Sequence, residues 1–514
     1  MVGLSNLWYL ALILLPIIGG IGVFLIPFKK RSLMCIYVEV ITVLTSLLSF
    51  FILFNRPEGQ YKLVTFVEKF SIAFAFDGMG TIFAGLISFL WPLASLYAFE
   101  YMKHEVSEHS CKETTFFGFY TMTFGVTLGI ASAANLLTMY IFYEMLTLVT
   151  VPLIIFSLSR EATLATRTYL YYSLGGAAFG FVALIFLSNF GVNLDFSLGG
   201  VLNFDAVSDI VKVPSTTLDA SHDLPANVLR LIYLFGFFGF GVKTAVWPLS
   251  SWLPKAGVAP TPVTALLHAV AVVKSGAFAI LRITYFSFGT DVLKGTFAQF
   301  VPMAIVIFTI VYGCSQAVRE RHFKRRLAYS TVSNLSYILF GALIMSPIGM
   351  IGALSHMLFH GVMKICSFFC AGAVITRTGK EYVYELDGLG KTMPKTFAAF
   401  TISSFALMGV PGLCGFISKF NLARGAVESG NVLAYIGVGA LLVSALLTAI
   451  YMLQVVIRAY FPEKGFNVAS VERYSDPGWQ MLVPFGIFII TMVYFGLFSD
   501  GIVELLNKVA MGLF

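Results

Sequence analysis

Charge is scarce in this sequence: only 11% of its 514 residues are Asp, Glu, Lys or Arg. A water-facing globule of that length carries roughly twice the share, about 25%. Cofactor motifs are missing too. The six cysteines (Cys35, Cys111, Cys314, Cys366, Cys370 and Cys414) form no C-x-x-C pair. Cys366 and Cys370 stand one helical turn apart in an apolar run, where packing is the expected role. No Gly-rich fingerprint follows a strand-like run, and no haem or iron–sulfur spacing occurs. The chain is therefore expected to hold no redox cofactor and no metal of its own. Its first residues, MVGLSNLWYLALILLPIIGGIGVFLIP, lack a basic leader and a small-residue cleavage site. They read as a first membrane helix.

What is present is apolar. Hydrophobic residues make up 58% of the sequence, and the mean hydropathy is +0.87. This is an all-α polytopic membrane protein in a lipid bilayer. At about 20 residues per crossing the sequence divides into about 14 spans. They fall near 6–27, 34–54, 78–99, 114–133, 135–157, 165–190, 227–249, 261–287, 297–318, 326–346, 349–374, 396–421, 433–459 and 478–500. The net charge of +7 does not point to nucleic acid, because the basic residues sit in short loops between apolar runs. Loops on one side collect 20 of the 33 Lys and Arg residues, which makes that side the inner one and puts both termini outside, most simply in a prokaryotic cell membrane. The stretch 60–77 alternates apolar and polar residues and predicts a short outer hairpin. The polar segment 191–226, with Asp195, Asp205, Asp209, Asp219 and Asp223, reads as an outer loop without chemistry.

Against this background a few charged residues stand out inside the apolar runs. Lys243 lies in LFGFFGFGVKTAVW, with Pro248 five residues on; Lys274 and His268 lie in ALLHAVAVVKSGAF. A lysine at the centre of a membrane helix costs about 2.5–3.5 kcal/mol on insertion scales, and the default reading is an ion or proton pathway. Pro248 is expected to break the helix that carries Lys243, and broken helices at membrane depth surround buried sites. His268 and Lys274 are six positions apart, about 240° around a regular helix, so they are expected on different faces. Glu144, in NLLTMYIFYEMLTLVTVPLII, also has apolar neighbours on both sides; burial disfavours its charged form unless a cation pairs with it. His356, His360 and Lys364 follow an i, i+4, i+8 spacing, which strings them along one helix face over about 12 Å. Three titratable groups in such a row resemble a proton relay. The two histidines lack a third ligand for a metal. Lys419 follows Pro411-Gly412, where a second helix break is expected.

The run VKTAVWPLSSWLPKA followed by APTPVTALLHA resembles the signature of the antiporter-like subunits shared by respiratory complex I, Mrp-type multisubunit cation/proton antiporters and membrane-bound hydrogenases. The resemblance implies two inverted repeats of five helices, at 114–287 (helices 4–8) and 288–460 (helices 9–13). These follow three N-terminal helices (1–113) and precede a last helix (461–514). It implies that Glu144, in FYEMLTL, partners Lys243 as a switching pair. It makes Lys274 the axial lysine, His268, His356, His360 and Lys364 the relay, and Lys419 the terminal residue before exit. A lysine at 419, the length near 500 residues and the short stretch after the last span are most similar to the Mrp D-type and hydrogenase subunits; the middle pump of complex I has glutamate at that place. The function implied is proton translocation, with Na⁺/H⁺ exchange left open, as a non-redox pumping subunit among other membrane subunits of a redox complex. The alternative is a D-type component of a Mrp antiporter with no redox chemistry, and a third is an ion-coupled part of another assembly such as inorganic-carbon uptake. Asp77 fits a turn that caps the following helix. Arg160, Arg167, Arg282 and the cluster Arg319 to Arg326 are expected to anchor helices at the inner surface.

Overall fold

Long apolar runs bounded by capping residues become helices in the computed structural model, which describes residues 2–55, 59–67, 69–108, 112–212, 223–463 and 471–514. Cys111 and Asp219 lie outside these residues. Among the described residues ten helices are long and apolar enough to cross a membrane, from Leu7–Leu25 to Trp479–Leu497. Four other expected stretches are helical as well, but shorter, more polar or interrupted: Glu113–Ala131, Ala226–Gly241, Phe323–Leu343, and the pair Pro394–Met408 and Cys414–Glu428. Polar residues set the starts. Asn135 accepts a hydrogen bond from the Thr138 amide (2.8 Å), Ser159 from Ala162 (3.1 Å) and Ser346 from Gly349 (3.2 Å), so each side chain satisfies an otherwise free first-turn donor.

Two elements form the centre. The stretch Thr261–Phe288 is wholly buried inside the protein, and 89% of the apolar core of Pro347–Thr378 is buried. Outer helices are different: only 28% of Trp479–Leu497 and 39% of Leu7–Leu25 is covered, and their open faces carry Ile490, Leu14 and Ile18. Such faces suit lipid, which satisfies no backbone group but accepts apolar side chains.

Three chain breaks interrupt the helices around that centre. The first covers residues 242–251, between Gly241 and the short turn Trp252–Lys255. It includes Pro248 but begins well ahead of it, after a Gly236, Gly239, Gly241 run that weakens the helix. Lys243 therefore lies in the break, where the sequence placed it inside a helix. Ala245 takes a left-handed conformation there (φ 54°), strain of a kind that gathers at functional sites. A second break, not expected, separates Thr261–Ala269 from Val272–Arg282. The amides of Val270 and Ala271 both turn back to the Leu266 carbonyl (3.1 and 2.9 Å), in a run crowded with valines, which are stiff in helices. The third break is the expected one: Gly409 and Gly412, at φ 91° and 87°, flank Pro411 between Pro394–Met408 and Cys414–Glu428.

The hairpin at 60–77 is present as antiparallel strands Tyr61–Val67 and Phe70–Phe74. It is pinned to the start of Leu136–Ile154, where Asn135 donates to the Ser71 carbonyl (2.8 Å) and Thr138 accepts from the Ala73 amide (2.9 Å). Part of the 191–226 segment forms a three-stranded sheet of two-residue strands. A short helix that the sequence reading did not separate, Asp500–Met511, follows the last long one.

Candidate functional site

The break after Gly241 delivers Lys243 into the interior with no exposure. Its ammonium donates to the Tyr143 carbonyl and lies 3.4 Å from the centre of the Tyr143 ring. Glu144 is the next residue on that helix, yet Glu144 Oε1 has no hydrogen-bond partner and no ion pair joins it to Lys243. The expected partners are thus neighbours out of contact, with a tyrosine in the place of the carboxylate. Gly276, on Val272–Arg282, gives Lys243 its room: a methyl group there would stand 2.8 Å from the Lys243 Cβ.

The break at Val270 separates His268 from Lys274 and removes the regular helix on which their relative angle was reckoned. Lys274 Nζ is hydrogen bonded to His360 Nδ1 at 3.0 Å, joining the two central elements. The His360 ring stacks on His356 (centroids 5.6 Å apart, 25° between planes). His356 in turn lies 2.9 Å from Ser418 Oγ and 3.2 Å from Asn334 Oδ1. One turn beyond His360, Lys364 donates to the Ser330 hydroxyl. His268 sits against the Phe368 ring at 4.9 Å, and neither of its nitrogens has a hydrogen-bond partner. The five residues His268, Lys274, His356, His360 and Lys364 are all fully buried.

Lys419, just beyond the third break, reaches back to the end of Pro394–Met408. It donates to the Leu407 and Met408 carbonyls (2.6 and 3.0 Å) and lies 5.4 Å from the centre of the Tyr337 ring. The carbonyl end of a helix carries partial negative charge and suits a cation. Among the described residues, none of Lys243, Lys274, Lys364 and Lys419 has an acidic side chain within the 4.0 Å of an ion pair. The interior offers them carbonyls, hydroxyls, an imidazole and aromatic faces instead. Such a set of groups can take up and release protons without a permanent counter-charge holding any one of them.

The profile of the family described as NADH:quinone oxidoreductase/Mrp antiporter, TM, matches residues 133–448. The chain belongs to this family. It is 32% identical over 433 residues to NADH-quinone oxidoreductase subunit N of Desulforudis audaxviator, covering 82% of this chain and 80% of that protein. Its fold is shared by a chain of the membrane-bound sulfane sulfur reductase, an archaeal respiratory membrane complex (TM-score 0.83, 21% identity, 98% of this chain and 97% of that one). A chain of the Mrp complex from Dietzia sp. DQ12-45-1b also shares it (TM-score 0.81, 19% identity, 99% and 98%). The chain is therefore an antiporter-like membrane subunit of the NADH:quinone oxidoreductase and Mrp type, crossing the membrane several times.

Several buried polar groups of this antiporter-family chain were not picked out from the sequence. Arg282, expected at the inner surface, is 1% exposed. It makes a two-pronged bond to Asp77 (Nη2 to Oδ1 2.8 Å) and lies within 4.7–4.8 Å of the Phe196, Phe278 and Phe286 ring centres. Asp77 caps its helix as expected, accepting from the Gly80 amide (2.8 Å). Arg326 is buried too, donating to the Tyr451 carbonyl and to Gln454 (3.1 and 2.8 Å), whereas Arg160 and Arg167 are exposed. Glu39 accepts a 2.5 Å bond from Ser95 between the first helices; it was findable, since it stands in an apolar run as Glu144 does. Hydroxyls gave no such signal. Ser333, Ser444, Tyr337 and the Cys314 thiol form a buried cluster beside Lys419, with Tyr337 donating to Ser444 at 2.7 Å and Cys314 Sγ 2.9 Å from Ser444 Oγ.

Proposed function

We propose that this chain moves protons across a cell membrane as the pumping subunit of a multisubunit redox complex related to complex I or to membrane-bound hydrogenases. The observation that carries this reading is the line Lys274–His360–His356–Ser418 through the buried interior, hydrogen bonded at its two ends and stacked between the histidines, with Lys364 one turn away. Titratable side chains and a hydroxyl stand there within hydrogen-bond or stacking distance of one another. Glu144 and Lys243 act as the switching pair, Lys274, His268, His356, His360 and Lys364 relay, and Lys419 is the last station. Protons enter from the inner side of the first five-helix unit (114–287) and leave through the second (288–460), with residues 1–113 and 461–514 as flanking helices. Both chain termini face outward. In the weakly screened interior, moving one buried charge changes the protonation of the next, so neighbouring membrane subunits can drive the line without this chain holding a redox group. Na⁺ as a counter-ion remains a variant of the same mechanism.

The test is coupled transport in vesicles holding the assembled complex. Lys243→Ala and Glu144→Ala are each expected to abolish coupled transport while the complex still assembles. Normal transport in either variant defeats the mechanism. Purification of the intact complex decides its kind: iron-rich soluble subunits mark a redox complex, and small membrane partners without iron mark a Mrp-type antiporter.

A further inference from the structure

Lys243, within the first chain break, and Lys419, just beyond the third, are each seated on a tyrosine face. Lys243 Nζ lies 3.4 Å from the Tyr143 ring centre and Lys419 Nζ 5.4 Å from that of Tyr337, both inside the distance over which a ring face attracts a cation. Backbone carbonyls complete each seat: Tyr143 for Lys243, and Leu407 and Met408 for Lys419. Among the described residues no carboxylate contacts either ammonium. Both rings are 1% exposed, and both are held in place. The Tyr143 hydroxyl donates to the Phe240 carbonyl (3.3 Å), and its ring meets Phe240 edge-on at 5.0 Å. The Tyr337 hydroxyl donates to Ser444 (2.7 Å), and its ring lies 5.0 Å from that of His356. A cation needs something negative in a dry interior. Here that is a fixed quadrupole and fixed carbonyl dipoles, which attract the charged lysine but cannot take its proton.

We propose that Tyr143 and Tyr337 are positioning residues for proton transfer. Each provides a seat in which its lysine waits while charged, away from the next proton acceptor. For Lys243 the alternative seat is Glu144, the neighbour of Tyr143 on the same helix. A short swing of the ammonium from ring to carboxylate exchanges a non-titratable partner for a titratable one. For Lys419 the seat adjoins the end of the relay, since the Tyr337 ring that holds it also lies 5.0 Å from His356. No bond forms or breaks in the seat; the lysine carries its proton in, and gives it up only after leaving. The inference rests on the pumping role of Lys243 and Lys419, and adds what holds them between transfers.

The experiment measures coupled transport in vesicles holding the assembled complex, with Tyr143 replaced by Phe, by Leu and by phenylalanines carrying one, two and three ring fluorines; Tyr337 is treated likewise. Fluorine weakens the ring's negative face with little change of shape. The expected result is a graded loss: Phe at most about twofold, fluorinated rings progressively more, and Leu about thirtyfold, the size of a desolvated cation–ring attraction. Equal rates across the fluorinated series, or equal losses for Phe and Leu, overturn the proposal. Should the Leu variants fail to assemble, the fluorinated series decides. Lys243→Ala in the same vesicles separates the two levels. Normal transport there removes the pumping reading itself, whereas loss of transport there together with a flat fluorine series removes the tyrosine seats alone.

Discussion

Gly276 and Lys243 touch where two broken elements meet, and the contact leaves no room for a side chain on the glycine. A Cβ on Gly276 would stand 2.8 Å from the Lys243 Cβ and 3.0 Å from the Thr244 amide. Neither neighbour is the far end of a flexible chain, so the break itself would have to move. Gly276→Ala is expected to reduce coupled transport at least tenfold, because a displaced Lys243 loses its geometry. Overpacking of this kind also destabilises by about 1–3 kcal/mol, visible as a lower melting temperature in detergent. Gly175→Ala, where nothing lies within 4 Å of the added methyl, is the control: it leaves transport as it is and the melting temperature level or slightly higher, because alanine favours a helix interior. Wild-type transport in Gly276→Ala would show that Lys243 tolerates a shift of its backbone.

The 3.0 Å bond between Lys274 and His360 allows at most one of the two groups to be charged at a time, since two cations at that distance in a buried site repel strongly. They should therefore work as one unit. Lys274→Met and His360→Leu are each expected to reduce transport more than tenfold, and the double variant no further. Losses that multiply in the double variant would mean that the two residues act in separate steps.

How far such a site can be read without coordinates depends on the residue type. Charges in apolar runs are visible because a lysine or glutamate there violates the solvation rule, which is why Glu144, Lys243, Lys274, Lys364 and Lys419 stood out. The break at Pro411 was visible through Pro and Gly. The break at Val270 was not, because valine marks no turn, and with it went the angle between His268 and Lys274. Pro248 pointed to the right segment but not to its start, which the weak Gly236–Gly241 helix end decides. Tyr143, Tyr337 and the Ser333–Ser444 cluster were invisible, because aromatic and hydroxyl residues are common in membrane helices, and only packing between distant helices makes them partners. Glu144 and Lys243 show the limit most clearly: they were expected to pair, whereas Lys243 rests on the Tyr143 ring, which nothing in the sequence marked.

Asp77 and Arg282 tie the turn before Gly78–Glu108 to the end of the buried Val272–Arg282. Removing one partner of a fully buried ion pair costs about 3–5 kcal/mol. The Asp77 side chain is 38% exposed, and solvent there lowers the expectation for Asp77→Asn to about 1–3 kcal/mol. Burial pushes the Asp77 carboxyl up, but the Arg282 charge and its hydrogen bonds hold it below the ordinary carboxylate range. A depressed carboxylate stabilises above its unfolded value, about 3.9, and the gain is lost as pH falls below that. The melting temperature of Asp77→Asn should thus lie below the wild type at neutral pH, and the gap should narrow only under about pH 4. A gap that instead closes near pH 6 would assign the stabilisation to another group.

His268 presents the sharpest choice between packing and transport. It is fully buried, and both ring nitrogens are without hydrogen-bond partners. Leaving a buried polar group unsatisfied costs about 1–3 kcal/mol, and leucine would fill most of the same volume against Phe368 without it. If the imidazole served only packing, His268→Leu would raise the melting temperature and leave transport alone. As a relay placed beside Phe368, one turn from Lys364, it gives up that stability for proton exchange. The expected outcome is therefore a split: the melting temperature of His268→Leu stays level or rises, while coupled transport falls about tenfold, the scale of losing one proton-transfer group. Wild-type transport in a stabilised variant would take His268 off the path and leave the Lys274–His360 bond to carry protons between the two central elements.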